Sequence, residues 1–210
     1  MHHLWFLRKK YGDIVVASNK YKKEREAWTV AVALLGITKI SGELWWIQIP
    51  TEDPPDILAM TVTPNEKEGW NYINFRKVEV MEITMHSKGN VVDEILNKIK
   101  DKFYEKETGL VVYLRQDTNL KDMCINKLSV RLKKRVKNIA DIWIIGNTSP
   151  NTNDFIVFSI FPTVQVIRYN VNEEIRKIPL GDTIEMSRAK GTEMMLIKST
   201  LPVEFNPKVR

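Results

Sequence analysis

Cysteine, histidine and clustered glycine are all scarce, and each scarcity closes off a class of chemistry. Cys124 is the single cysteine in 210 residues. One thiol can form neither an internal disulfide nor a thiolate zinc cluster, and it suits a reducing, cytoplasmic setting. Histidine occurs 3 times, as His2, His3 and His86. A histidine-based triad or metal cage is therefore poorly supplied. The 9 glycines never gather into a phosphate-cradling loop. GxGxxG and the GxSxG nucleophile elbow are both missing. No apolar run is long enough to span a bilayer, and the apolar stretch in MHHLWFLRKK is too short for a signal peptide. No membrane partner is expected.

What is present is a chain of ordinary globular composition, 43% hydrophobic and 28% charged, long enough for one domain with additions. Lys and Arg total 32 against 26 acids, a formal net charge of +6. That balance admits an acidic partner such as nucleic acid without requiring one. Basic residues gather at Lys20, Lys22, Lys23 and Arg25, and again at Arg131, Lys133, Lys134, Arg135 and Lys137. Such runs are commonly solvated helix faces, and they gain weight only beside a site with chemistry.

The periodicities predict a short strand at 14–17 and a helix over 21–37, apolar on most sides and so buried, with Gly36 near its stop. Strands are expected at 44–50, 56–64 and 77–85, with 65–75 a hairpin loop. Asn90 is a plausible cap for a helix over 91–104. An apolar strand at 110–116, a basic helix over 121–139 and a strand at 141–148 follow. Beyond lie two strands around Pro162 and a third at 193–198. The first three strands read as an antiparallel meander, and the next two each follow a helix. The expected class is α/β (α+β), a mixed sheet with helices on both faces. The expected division is a core over 1–148 and a β-rich C-terminal extension over 149–210.

With histidine and cysteine scarce, carboxylates are the remaining source of site chemistry. Asp56 opens a strand directly after Pro54 and Pro55. Glu79 lies between Val78 and Val80, an unfavourable place for a charge. If the two strands form a hairpin, these acids lie opposite each other, a pairing that suits a hard cation such as Mg²⁺ or Mn²⁺. Taken singly, Glu79 reads as a solvent-facing strand residue and Asp56 as a turn residue.

Pro55-Asp56, then Glu79-Val80-Met81, behind a helix that carries Glu24 and Glu26, resemble the PD-(D/E)XK nuclease superfamily. That is the restriction-endonuclease-like fold. Its αβββαβ core is similar in order and length to residues 21–116, and 120–148 resembles its common helix–strand extension. The resemblance implies a metal-dependent DNA endonuclease with Asp56 and Glu79 on Mg²⁺ or Mn²⁺ and Glu24 or Glu26 as the helix acid. Helical spacing does not choose between those two glutamates, whose alternative reading is favourable interaction with the helix dipole.

One residue departs from the pattern. Met81 stands where the family has its water-orienting lysine. Either another lysine substitutes (Lys77 shares a strand face with Glu79, and Lys88 and Lys98 are near), or another polar residue does, or catalysis is lost and binding kept.

DNA contacts are expected from Lys22, Lys23, Arg25, Arg131, Lys133 and Lys134, and from the 65–75 loop, where Lys67 and Trp70 could meet phosphate and base. Such a loop more often folds back on its own domain. Three classes stay open. They are a nuclease, which admits a homodimer, a silent nuclease-fold module that binds nucleic acid or protein, and a structural protein of another mixed fold.

Overall fold

A computed structural model of the chain describes residues 18–51, 54–65, 70–84, 91–100, 104, 107–115, 125–133, 138–148, 152–177, 184–188 and 195–199. The expected strand at 14–17 and the cap Asn90 lie outside these residues. Seven strands form one mixed sheet in sequential order. They are β1 (Trp45–Gln48), β2 (Ile57–Asn65), β3 (Trp70–Ile83), β4 (Thr108–Leu114), β5 (Ile139–Asn147), β6 (Asp154–Phe161) and β7 (Gln165–Asn170). β8 (Ile184–Arg188) and β9 (Met195–Ser199) pair with each other. Four α-helices are described: α1 (Lys22–Ser41), α2 (Val91–Lys100), α3 (Ile125–Lys133) and α4 (Val171–Arg176).

β1, β2 and β3 are antiparallel, as the meander reading expected. β3, β4 and β5 are parallel, with α2 and α3 in the two crossovers that parallel pairing requires. β6 and β7 return antiparallel, so residues 154–170 continue the same sheet. Both faces are covered. Val30, Ala33 and Leu34 of α1 pack on Val78, Val80, Val111 and Val157. Ile95 and Leu96 of α2 and Leu128 and Leu132 of α3 pack on Met81, Ile83, Val112 and Ile144. β4 lies between two such layers, which explains its nearly unbroken apolar run.

α1 is buried on many sides because it meets more than the sheet. Trp28 makes edge contacts with Tyr113 and Phe155, at centroid distances of 5.9 and 5.6 Å. Gly36 is not its stop. Tyr169 of β7 lies against it, and a β-carbon there would come within 2.8 Å of that ring. The helix ends at Gly42, whose φ of 73° is left-handed and whose N–H donates to Thr38 O at 2.8 Å.

Other boundaries moved for similar reasons. The 65–75 stretch is mostly strand: Asn65 pairs with Trp70, and the hairpin runs on in register to Ile57 opposite Val78. The aromatic and β-branched content of Trp70, Tyr72, Ile73 and Phe75 was a strand signal. Thr108 and Gly109 open β4 rather than closing the helix before it, and Ile139 belongs to β5 rather than to α3. α4 was not expected. It is capped by Asn170, whose side chain accepts from the N–H groups of Asn172 and Glu173 at 3.1 and 3.3 Å. Among the described residues no helix is long and apolar enough to cross a membrane.

Candidate active site

β3 presents alternate faces. Val78 and Val80 belong to the core beneath α1, while Met81 belongs to the core beneath α2 and α3. Glu79 shares Met81's side of the strand and is 6% exposed. The β2–β3 register carries on past Ile57–Val78 and brings Asp56 level with Glu79. Asp56, 7% exposed, accepts the Val80 N–H through Oδ2 at 2.8 Å. That bond fixes the start of β2 against β3 and leaves Oδ1 toward the helix. There it lies 3.7 Å from Lys23 Nζ.

The first turns of α1 bring the third acid. Glu26 is 6% exposed and faces an open cavity of about 850 Å³ that Asp56 and Glu79 also line. Glu24 is half-buried and does not line it. Helix orientation thus separates two glutamates that spacing left equivalent. Burial pushes the Glu26 carboxyl above its ordinary value, and the negative charge of Asp56 adds to this. Lys22 and Lys23 offset part of the rise. Tyr104 closes the same cavity. Its phenol is pushed up to about 12, first by burial and then by Glu79 and Asp56.

The cations are arranged unequally. Lys22 Nζ lies 3.3 Å from Glu26 Oε1. Lys23 Nζ lies between Asp56 and Glu26, 3.9 Å from Glu26 Oε2. Lys77 lines the cavity. Lys98 enters from α2 and donates to the carbonyl of Val80 at 3.0 Å, beside the position where Met81 lacks an amine. Arg25 turns inward. Its Nη1 donates to Ser18 O at 2.6 Å, and its Nε lies 3.7 Å from Glu82, which also meets Arg115 at 3.1 Å.

The expected DNA contacts are more dispersed. Arg131 pairs with Asp93 at 2.8 Å, tying α3 to α2, and Lys133 is exposed at the end of α3. Neither lines the acidic cavity. Lys67 and Lys134 lie outside the described residues, as do His86 and Lys88. Trp70 opens β3, and its side chain is not among those described.

Comparison with family models, curated proteins and solved structures gives no match. The case for the site therefore rests on its own chemistry. Among the described residues no three His, Cys, Asp or Glu side chains form a ready cage for one ion. Mg²⁺ does not need one, because it commonly keeps several waters and takes one or two carboxylates. Glu26 Oε2 is buried with no hydrogen-bond donor, an arrangement that a cation or its waters would satisfy. Two more buried carboxylates line the same cavity. Carboxylate oxygens of this kind are the donors that Mg²⁺ or Mn²⁺ would take.

Tyr104 and the inward position of Arg25 escaped the sequence reading. Lys98 had a signal, since it lies three residues after Ile95 on the sheet-facing side of α2. Tyr104 had none, because its place depends on how the chain returns from α2 to β4.

Proposed function

We propose that this chain is a metal-dependent DNA endonuclease with a restriction-endonuclease-like core, hydrolysing phosphodiester bonds in a cytoplasmic setting. The observation that carries the reading is the meeting of Glu26, Asp56 and Glu79, from three separate elements, around one cavity with a buried carboxylate oxygen that accepts no hydrogen bond. The element order α1, β1–β3, α2, β4 supports it, being the αβββαβ order of that fold.

In this reading Asp56 and Glu79 hold Mg²⁺ or Mn²⁺. Bound there, such an ion would supply an acidified water and a positive charge beside the phosphate. Glu26 orients water at the helix side of the cavity. Lys98, anchored on the Val80 carbonyl, would supply the amine that Met81 lacks, and Lys77 is the other candidate lysine lining the cavity. The Lys98 ammonium would hold the attacking oxygen and the phosphate in line. Water oxygen bonds to phosphorus, the bond from phosphorus to the leaving sugar oxygen breaks, and the protons exchange with solvent. Lys22 and the exposed end of α3 are available for DNA phosphates, and a homodimer would place two sites on a duplex.

Met81 favours a second reading, a silent nuclease-fold module that binds without cutting. One experiment separates the two. Single-stranded, duplex and branched DNA are incubated with Mg²⁺ or Mn²⁺ and either the native chain or its Asp56→Asn or Glu79→Gln variant. Metal-dependent cleavage is expected, with each substitution lowering the rate about 100-fold or more. Salt-sensitive binding without cleavage would favour the silent module. Neither cleavage nor binding would overturn the nucleic-acid reading.

A further inference from the structure

Lys22 and Lys23 are neighbours on α1, yet they face the acidic cavity differently. Lys22 is 56% exposed and approaches Glu26 Oε1 at 3.3 Å. Lys23 is 32% exposed and lies between two carboxylates from different elements. It is 3.7 Å from Asp56 Oδ1 and 3.9 Å from Glu26 Oε2. Asp56 and Glu26 both line the cavity in which a divalent ion would be held, and Lys23 reaches their oxygens without itself lining it. Buried carboxylates brought close repel one another, and an ammonium on a flexible four-carbon stem offsets that repulsion without a dedicated cage.

An ammonium and a divalent cation cannot share these oxygens, because their mutual repulsion at such a distance is large in a partly buried site. We propose that Lys23 is a tethered stand-in for the metal, which divalent cation binding displaces toward the cavity mouth. This rests on the metal reading of the same site and goes beyond it. Metal affinity is set partly by competition with the protein's own lysine. The displaced ammonium becomes available to an anionic substrate only when metal is bound, which couples metal loading to phosphate binding.

The test is Mn²⁺ binding by calorimetry, with thermal melting in chelator and in saturating Mn²⁺. The proteins are the native chain, Lys23→Met, Lys23→Arg and Lys22→Met. Lys23→Met is expected to bind Mn²⁺ about tenfold tighter than the native chain. It should melt lower in chelator and regain the native melting temperature with metal. Lys23→Arg, whose guanidinium grips carboxylates more firmly, should bind Mn²⁺ more weakly than the native chain, and it keeps the test available if the Met variant folds poorly. Lys22→Met should change affinity by only about twofold, since its own ammonium is largely solvated, the side chain being 56% exposed.

Native binding with no gain in Lys23→Met, or an equal gain in Lys22→Met, would overturn the exchange while leaving the metal site standing. No Mn²⁺ binding by any of the proteins would overturn the metal reading and the exchange together.

Discussion

Moving a carboxylate out of water costs free energy that a nearby ammonium only partly offsets, and Glu26 is where this chain bears that cost. Its pKa is raised by burial and by Asp56, against the pull of Lys22 and Lys23. A raised folded-state pKa means that the folded chain holds this proton more tightly than the unfolded one. The corresponding stability is fully present below the ordinary value of 4.5 and is lost as pH rises through the folded value. Glu26→Gln removes the ionisation and keeps the shape. In chelator it should raise the melting temperature near pH 8, and the gain should vanish below about pH 4. A lower melting temperature near pH 8 would show that the ion pairs outweigh the burial. The sequence displayed both Glu24 and Glu26 on a basic helix end. Only the docking of α1 on the sheet, a tertiary property, decides which acid is buried.

At the scale of elements, the strongly patterned segments were readable and the punctuation was not. The apolar runs of β4, β5 and the start of β2 mark strands, bounded as they are by turn signals. Gly36 and Gly42 both lie near the end of one apolar helix, and local sequence does not say which one stops it. The structure separates them by what each meets. Gly42 takes a left-handed conformation with open space around it, and Gly36 sits under Tyr169 and Val157. Tyr169 is itself anchored, since its hydroxyl donates to the Val32 carbonyl of α1. A glycine-to-alanine change inside a helix ordinarily stabilises by about 1 kcal/mol. Here the close approach reverses the sign. Gly36→Ala should destabilise by about 1–3 kcal/mol, read by chemical denaturation, as α1 is pushed away from β7. A stabilised variant would mean that the helix and β7 shift apart at little cost.

For the whole molecule, β3 joins the antiparallel part of the sheet to its parallel part through its ladders with β2 and β4, and Arg76 adds a side-chain tie across the same junction. It arises from β3, pairs with Asp141 of β5 and lies over the rings of Trp45 and Trp143, at 5.6 and 5.5 Å from their centroids. One side chain thereby links β1, β3 and β5, with Gly109 of β4 leaving room beneath it. The sequence showed Arg76 only as one more cation near a loop, because its partners lie about 30 and 65 residues away. Burial pushes the Asp141 carboxyl up and Arg76 pulls it back, so the acid depends on its partner for charge compensation. Arg76→Met keeps the apolar stem between the tryptophans and strands that carboxylate. The expected loss is about 2–4 kcal/mol at neutral pH, shrinking in acid as Asp141 takes up a proton. Adding Asp141→Asn to that variant should recover part of the loss at neutral pH, because the stranded charge is then gone. A double variant no more stable than Arg76→Met would assign the effect to the tryptophan stack instead. In that case the sheet would be tied by the guanidinium over the Trp45 and Trp143 rings rather than by its pair with Asp141.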